Sequence, residues 1–122
     1  MNVLAISAYL FNLGFFKLAV LGDYQSSADV LKQAYTLRTP MLGETHELSV
    51  QVVVSRGWAL TLTGQTELAV DELTSCAEML LAAGQAPAAE RLLRQAMEMA
   101  EAPLGVNTYA HVCYTQHINF LK

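Results

Sequence analysis

Charged residues are scarce in this chain, and basic residues are the scarcest of them. Seven Lys and Arg stand against eleven Asp and Glu in 122 residues, which gives a net charge of −4. The basic residues are scattered and form no positive stripe, so we expect no nucleic-acid partner.

Cysteine is also scarce, with two residues in the chain. Cys76 and Cys113 lack the spacing of a disulfide scaffold, which predicts buried, reduced thiols and a cytoplasmic protein.

Motifs for chemistry are missing as well. There is no glycine-rich nucleotide fingerprint and no recognisable nucleophile motif, so we expect neither an enzyme nor a cofactor. His111, Cys113 and His117 are the one ligand-like group. Only Cys113 and His117 would share a helix face, and two ligands are too few for structural zinc, so we expect no metal. Asp71 and Glu78 lie seven residues apart on one helix face and could suggest paired catalytic carboxylates, but a solvated helix face explains them more simply.

Apolar residues, by contrast, are abundant. Hydrophobic side chains make up 53% of the chain, and its mean hydropathy is positive. Either the core is large for the chain length, or apolar surface is left for a partner. We favour the second interpretation, because 122 residues cannot bury so much apolar surface alone.

The segment 53–76 has the most regular pattern in the chain. Gly57 and Gly64 are seven residues apart. A glycine inside a helix lets a second helix approach closely, whereas the second glycine ends the helix and turns the chain. Small or apolar residues follow Gly64 at five, nine and twelve residues: Ala69, Leu73 and Cys76. This spacing predicts a helix–turn–helix unit.

Two further segments extend that unit into a repeat. The chain has Asn-Leu-Gly at 12–14 followed by Gly-Asp-Tyr at 22–24, and Leu-Gly-x-x-His at 42–46. Gly22 and Gly64 are 42 residues apart. Together these features resemble a tetratricopeptide repeat (TPR), in the 42-residue variant of kinesin light chains. Gly14 and Gly22 are eight apart where the family has seven, and Glu47 stands where the family usually has proline.

The resemblance implies an all-α protein. We expect TPR-like antiparallel helical hairpins forming a short, irregular right-handed α-solenoid of about six helices. The whole chain, 1–122, would be one domain. The predicted helices are 3–21, 25–38, 47–63, 66–83, 86–100 and 107–121, with Pro40 following the second and Pro87 in the first turn of the fifth.

The first predicted helix, 3–21, allows three interpretations: a membrane-spanning helix, a signal peptide and a packing helix. It is strongly apolar with Lys17 as its one charge, and a membrane-spanning helix needs about 20 apolar residues. A signal peptide is disfavoured because no basic residue precedes the apolar run. The repeat-like frame favours a packing helix of the array, so we expect no membrane contact.

The TPR resemblance also implies a function and a site. In that family the first helix of each pair lines a concave groove that grips a peptide or a partner helix. The positions of this sequence that match the groove are predicted to bind a protein partner: Asn12, Phe15, Gln51, Ser55, Trp58, Thr61, Gln116 and His117. We regard Trp58 as the best single candidate, because tryptophan is enriched at binding hot spots.

Both predicted end helices suggest an alternative function. A repeat array needs end helices with a polar outer face. The first helix carries Phe11, Phe15 and Phe16, and the last, 107–121, is apolar without an acidic residue. We therefore expect at least one end to be covered by a second copy, in a twofold homodimer, or by another protein. The chain would then be a structural subunit or oligomerisation module of a larger complex.

Overall fold

The computed structural model describes residues 2–102, and within this range the chain is helical apart from short connections. The elements in chain order are α1 (Val3–Phe16), a π-helical segment (Lys17–Leu21), α2 (Tyr24–Leu42), α3 (Glu47–Leu62), α4 (Thr66–Ala82) and α5 (Ala86–Glu101). The all-α prediction is confirmed for this part of the chain. The predicted helix 107–121 lies outside the described residues.

Three of the helices begin with a side-chain cap. The side chains of Asn2, Asp23 and His46 each accept a hydrogen bond from a backbone N–H two or three residues further on. These bonds pair N–H groups that have no partner inside the first helical turn. Because Asp23 caps it, α2 begins at Tyr24, one residue before the predicted start at residue 25.

Glycines close α3 and α4 in the same way. Gly64 and Gly84 have φ of +89° and +79°, a region that side chains with a Cβ disfavour. In both turns the residue after the glycine donates its N–H to a carbonyl five residues back, from Gln65 to Leu60 and from Gln85 to Leu80, at 2.8 Å. This is a Schellman motif, and it lets the next helix start after one further residue.

The π-helical segment accounts for the longer glycine spacing near the N-terminus. Gly14 lies within α1 and Gly22 follows the π-helical segment, eight residues later. The hydrogen bonds of a π-helix join residues five apart, one residue more than the hydrogen bonds of an α-helix. The extra residue is therefore taken up without a break in the helix.

The predicted end of the second helix at residue 38 is wrong. α2 continues through Pro40 to Leu42. Proline lacks one N–H, so in this last turn it removes a single helical hydrogen bond. The turn still closes, since Gly43 donates its N–H to the carbonyl of Thr39 at 2.9 Å.

Each α-helix packs on the next one along the chain, and α3 also packs on α5. Two glycines mark the closest approaches. A Cβ at Gly14 would lie 2.6 Å from Cγ of Leu31 in α2, and a Cβ at Gly57 would lie 2.8 Å from side-chain atoms of Leu73 in α4 and Met99 in α5. The small residues thus set the spacing between neighbouring helices.

Apolar side chains form two clusters. The larger one joins α3, α4 and α5 and receives Leu18 and Ala28 from the first half of the chain. The smaller one joins the first three α-helices: Phe11, Leu31, Ala34 and Val52. Leu93 lies nine residues after Gly84, as Leu73 lies nine residues after Gly64. Leu93 is nevertheless exposed, and the buried leucine of α5 is Leu92.

Candidate functional site

The structure separates the predicted groove residues into buried and accessible ones. Ser55, Trp58 and Thr61 have 1% or less of their surface exposed. A partner surface at these three positions disagrees with that burial, because α2, α4 and α5 all pack on α3. Trp58 donates its indole Nε1–H to Oε1 of Gln95 in α5 at 2.9 Å.

The remaining predicted positions are accessible in part or lie elsewhere. Asn12 is exposed, and Phe15 and Gln51 are half-buried. Phe15 stacks on Phe11 with ring centroids 6.4 Å apart. Gln116 and His117 lie outside the described residues, as do His111 and Cys113. Contact of Asn12, Phe15 and Gln51 with a partner stays a prediction.

A different groove opens between α2 and α4, and its floor is formed by α3 together with the more buried residues of α4. Its volume is about 480 Å³. Its lining residues come from three helices: Lys32, Tyr35 and Thr36 from α2; Val52, Val53 and Arg56 from α3; Asp71, Glu72, Ser75, Cys76 and Met79 from α4. In each helix these residues follow the three- and four-residue spacing of a single face, so each helix contributes one face to the groove.

Arg56 ties the two walls of the groove together. Its Nε donates to the backbone carbonyl of Ala28 in α2 at 3.3 Å, and its Nη1 donates to both carboxylate oxygens of Glu72 in α4. The Arg56 side chain is 15% exposed and that of Glu72 is 37% exposed. A partly buried ion pair of this kind is screened less than a surface pair, so it holds the two walls at a set separation.

The floor of the groove is largely apolar, and the charge of Arg56 on it is paired with Glu72. Val52 and Cys76 are buried, and Val53 and Met79 are half-buried. Burial raises the pKa of the Cys76 thiol to about 11, and the nearby Glu44 carboxylate adds to the shift. Burial also raises the pKa of Tyr35, again with a contribution from Glu44. A protonated thiol is a weak nucleophile, so the floor offers apolar contact rather than covalent chemistry.

The walls carry opposite charges. Lys32 is exposed on the α2 side, and Asp71 is exposed on the α4 side. Neither forms an ion pair among residues 2–102. Glu67 and Glu78 are also exposed on α4, which has no basic residue along its length. The groove therefore has an apolar floor, one cationic wall and one acidic wall.

The outer side of α1 is a second surface with accessible apolar residues. Large apolar side chains are exposed there and on the π-helical segment: Val3, Tyr9, Phe16, Val20 and Leu21. The span Val3–Leu21 is long and apolar enough to cross a membrane, and 22% of its most apolar window is buried against the rest of the protein. Core helices of soluble proteins and signal sequences share that length and composition, so the span alone establishes no location.

Residues 2–102 contain no cluster of three or more His, Cys, Asp or Glu side chains placed to hold a metal ion.

Comparison with known proteins assigns the chain to no family. No protein-family model, no curated protein and no solved structure matches it. The inference of function therefore rests on the groove and on the outer side of α1.

Proposed function

We propose that this protein is a helical interaction module that binds a segment of a partner protein in the groove between α2 and α4. The observation that supports this most directly is the combination of an apolar floor with charged walls. Binding sites for small ligands and peptide side chains are concave, mostly apolar and edged by a few polar groups. The volume of about 480 Å³ accommodates a few apolar side chains of a partner.

The charges on the walls favour a partner segment of complementary charge. Asp71 lines the groove, and Glu67 and Glu78 extend the negative surface along α4. A segment with apolar residues and Lys or Arg on the flank facing α4 complements this wall. Lys32 on the opposite wall favours an acidic residue or a carboxylate on the other flank. Complementary charge of this kind fixes the orientation of the bound segment and speeds its association.

We propose further that the helices follow a TPR-like solenoid in a cytoplasmic protein. The two equivalent Schellman turns at Gly64 and Gly84, and the close contacts at Gly14 and Gly57, support a repeated architecture. The groove between α2 and α4 would then be the binding surface, in place of the surface around Trp58. The buried, free thiol of Cys76 is compatible with a reducing compartment.

Selection from a displayed library of random twelve-residue peptides, followed by titration calorimetry, tests the groove. We expect selected peptides to combine apolar residues with Lys or Arg. Asp71→Lys should weaken their binding at least tenfold, since it replaces attraction by repulsion at the wall. Ser75→Trp should also weaken it, because the indole fills the space between the walls.

Glu98→Lys is the matched control. It also replaces an exposed carboxylate by an ammonium group, but on α5 and away from the groove and its acidic wall, so binding should change less than threefold. Higher salt should weaken binding to the wild type. Equal affinity of the selected peptides for wild type, Asp71→Lys and Ser75→Trp would reject the groove as the site.

A second candidate function, a structural or oligomerisation module, is favoured by the outer side of α1. Its exposed aromatic and aliphatic side chains form an apolar surface on a helix whose other side is packed on α2. Exposed apolar surfaces of this kind mark interaction sites in soluble proteins. This surface shares no residue with the groove between α2 and α4, so the two functions can be tested separately.

A further inference from the structure

We propose that the outer face of α1 pairs with the same face of a second copy of this chain, around a twofold axis beside Asn12. We use the name outer face for one row of exposed residues within the outer side of α1 and the π-helical segment: Ala5, Tyr9, Asn12, Phe16 and Val20. This inference develops the second candidate function and does not depend on the groove between α2 and α4.

The opposite side of α1 is fixed to α2. Its buried residues follow the same spacing: Ser7, Phe11 and Gly14, continuing to Leu18 in the π-helical segment. The Ser7 hydroxyl accepts a hydrogen bond from Nε of Arg38 at 3.2 Å. The carbonyl of Gly14 accepts one from the hydroxyl of Ser27 at 2.7 Å. Crossing a membrane as a separate helix would break these buried bonds, so α1 keeps its outer face directed away from α2.

The outer face carries no charged side chain. The chain as a whole has a net charge of −4, so two copies repel each other over most of their surfaces. Two copies can approach each other through an uncharged apolar face without this charge repulsion. The nearest charge on the same helical stretch, Lys17, lies 4.0 Å from the Asp23 carboxylate and is largely covered.

The size of the face suits a weak but specific dimer. Tyr9 is 66% exposed, Phe16 47% and Val20 61%. With these side chains the face covers on the order of 500 Å² in each copy, so a symmetric contact buries about 1,000 Å² in total, close to the lower bound for a specific interface. A reversible dimer follows, rather than an obligate one.

The order of residues along the face is itself twofold symmetric. Tyr9 and Phe16 are centred on position 12.5, and Ala5 and Val20 are centred on the same point. In an antiparallel pair of α1 helices, Tyr9 of one copy therefore lies opposite Phe16 of the second copy, and Ala5 lies opposite Val20. Each large aromatic residue meets another aromatic residue, an arrangement that stabilises interfaces beyond the area it buries.

Asn12 lies next to this centre. An amide carries both hydrogen-bond donors and an acceptor, so Asn12 can pair with Asn12 of the second copy across the axis. A single polar residue within an apolar contact fixes the register, because any slip leaves the amide buried without a partner. The face thus specifies antiparallel pairing with one register.

Analytical ultracentrifugation of the full chain over a range of concentrations tests the pairing. We expect a reversible dimer for the wild type. Tyr9→Glu should raise its dissociation constant at least tenfold, since it places a carboxylate from each copy in an apolar contact. Met97→Glu is the matched control: Met97 is 61% exposed on α5, so the same charge is added away from the face and the dimer should persist.

Disulfide trapping tests the position of the axis, in a Cys113→Ser background in which Cys76 is buried. Asn12→Cys should cross-link readily to itself under mild oxidation, because the two copies of residue 12 face each other. Ala5→Cys should not cross-link to itself, since antiparallel pairing separates its two copies by about 22 Å, at ~1.5 Å per residue. A mixture of Ala5→Cys and Val20→Cys proteins should cross-link.

Other outcomes overturn the proposal. A wild type that stays monomeric at high micromolar concentration excludes a second copy as the occupant. Binding of the monomer to phosphatidylcholine and phosphatidylglycerol vesicles, lost in Tyr9→Glu and kept in Met97→Glu, would assign the face to a membrane instead. A dimer that Tyr9→Glu leaves intact, or cross-linking of Ala5→Cys as fast as Asn12→Cys, would place the interface elsewhere.

Discussion

The indole Nε1–H of Trp58 donates a hydrogen bond to the side-chain Oε1 of Gln95 at 2.9 Å, and both side chains are buried. The bond joins α3 to α5 across 37 residues of sequence. Buried tryptophans usually find a partner for this N–H, because leaving it unpaired costs the free energy of its lost hydration. The position of α5 against α3 is therefore specified by a polar contact as well as by apolar packing.

Breaking this bond should lower stability without abolishing the helices. We expect Gln95→Leu to reduce the free energy of unfolding by about 1–3 kcal/mol, because it removes the buried acceptor of the hydrogen bond that the Trp58 indole N–H donates. Trp58→Ala should cost about 3–5 kcal/mol through the cavity it creates. Urea denaturation followed by circular dichroism measures both changes.

Gln33→Leu is the control for that experiment, since Gln33 is exposed on α2 and the same substitution there should change stability by less than about 0.5 kcal/mol. Equal stability of Gln95→Leu and wild type would show that the indole N–H finds another partner. A Trp58→Ala protein that is as stable as wild type but no longer binds its partner would instead support the prediction that Trp58 contacts the partner.

The two helix-crossing glycines should respond differently to alanine. A Cβ at Gly14 would meet Cγ of Leu31 at 2.6 Å, a branch point close to the α2 backbone. A Cβ at Gly57 would meet Cδ1 of Leu73 and Cε of Met99, both at 2.8 Å, and these are the ends of side chains that can move. Both substitutions gain about 1 kcal/mol of helix propensity.

We therefore expect Gly14→Ala to be destabilising by about 1–3 kcal/mol and Gly57→Ala to be close to neutral. Gly57→Leu should destabilise by at least as much as Gly14→Ala, because the small movements that admit a methyl group cannot admit an isobutyl group. Thermal unfolding of the three variants in parallel gives the ranking. A Gly14→Ala protein as stable as Gly57→Ala would contradict the close approach of α1 and α2.

The sequence alone predicts the helical fold because helix ends depend on local chemistry. Gly64 and Gly84 turn the chain through their own backbone conformation, and Pro87 lies in the first turn of α5, so these signals are contained in a few neighbouring residues. Pro40 misleads because it removes one hydrogen bond from the last turn of α2, yet that turn still closes through the bond from Gly43 to Thr39.

The candidate site could not be predicted in the same way. Arg56 and Glu72 lie 16 residues apart on different helices, and their contact depends on how α3 and α4 are rotated about their axes. The side of α3 that faces α5 likewise decides that Trp58 is buried. Helical periodicity identifies residues that share a face but not the helix that covers that face. The acidic exposed residues of α4 were the one sequence signal near the groove.

Arg38 should be worth more to stability than an exposed arginine. It is 5% exposed, donates from Nη1 to the carbonyl of Leu48 at 2.8 Å and from Nε to the Ser7 hydroxyl, and lies 4.9 Å above the Phe11 ring. Burial lowers the pKa of its guanidinium. These contacts join α1, α2 and the start of α3 through one side chain.

We expect Arg38→Ala to lower the free energy of unfolding by about 2–4 kcal/mol, through lost packing and an unpaired carbonyl. Arg38→Lys should recover only part of the lost stability, because a single ammonium group cannot reach both the Ser7 hydroxyl and the Leu48 carbonyl as the guanidinium does. Arg94→Ala, which removes an exposed pair with Glu90, should cost at most about 0.5 kcal/mol. If Arg38→Ala and Arg94→Ala were equally mild in denaturant titrations, the buried contacts of Arg38 would contribute nothing.

Cys76 should make the protein less stable as the pH rises above 9. Its pKa is raised from 9.0 to about 11 in the folded state, first by burial and then by Glu44. Below pH 9 the thiol is protonated in both states and the full stability is present. Between pH 9 and about 11 the unfolded chain loses the proton while the folded chain keeps it, so the free energy of unfolding falls by up to ~1.4 kcal/mol per pH unit.

The measurement compares the slope of stability with pH for Cys113→Ser and for Cys113→Ser with Cys76→Ala. Removing the thiol should flatten the decline between pH 9 and 10, whereas a decline from Tyr35, whose pKa is also raised, should remain above pH 10. Comparing slopes separates the titration from the cavity left by the smaller side chain, which lowers stability equally at every pH.

The same protonated, buried thiol should react with Ellman's reagent much more slowly in the folded protein than in urea. An unchanged slope after Cys76→Ala, together with fast modification of the folded protein, would place this thiol in contact with water rather than at the floor of the groove.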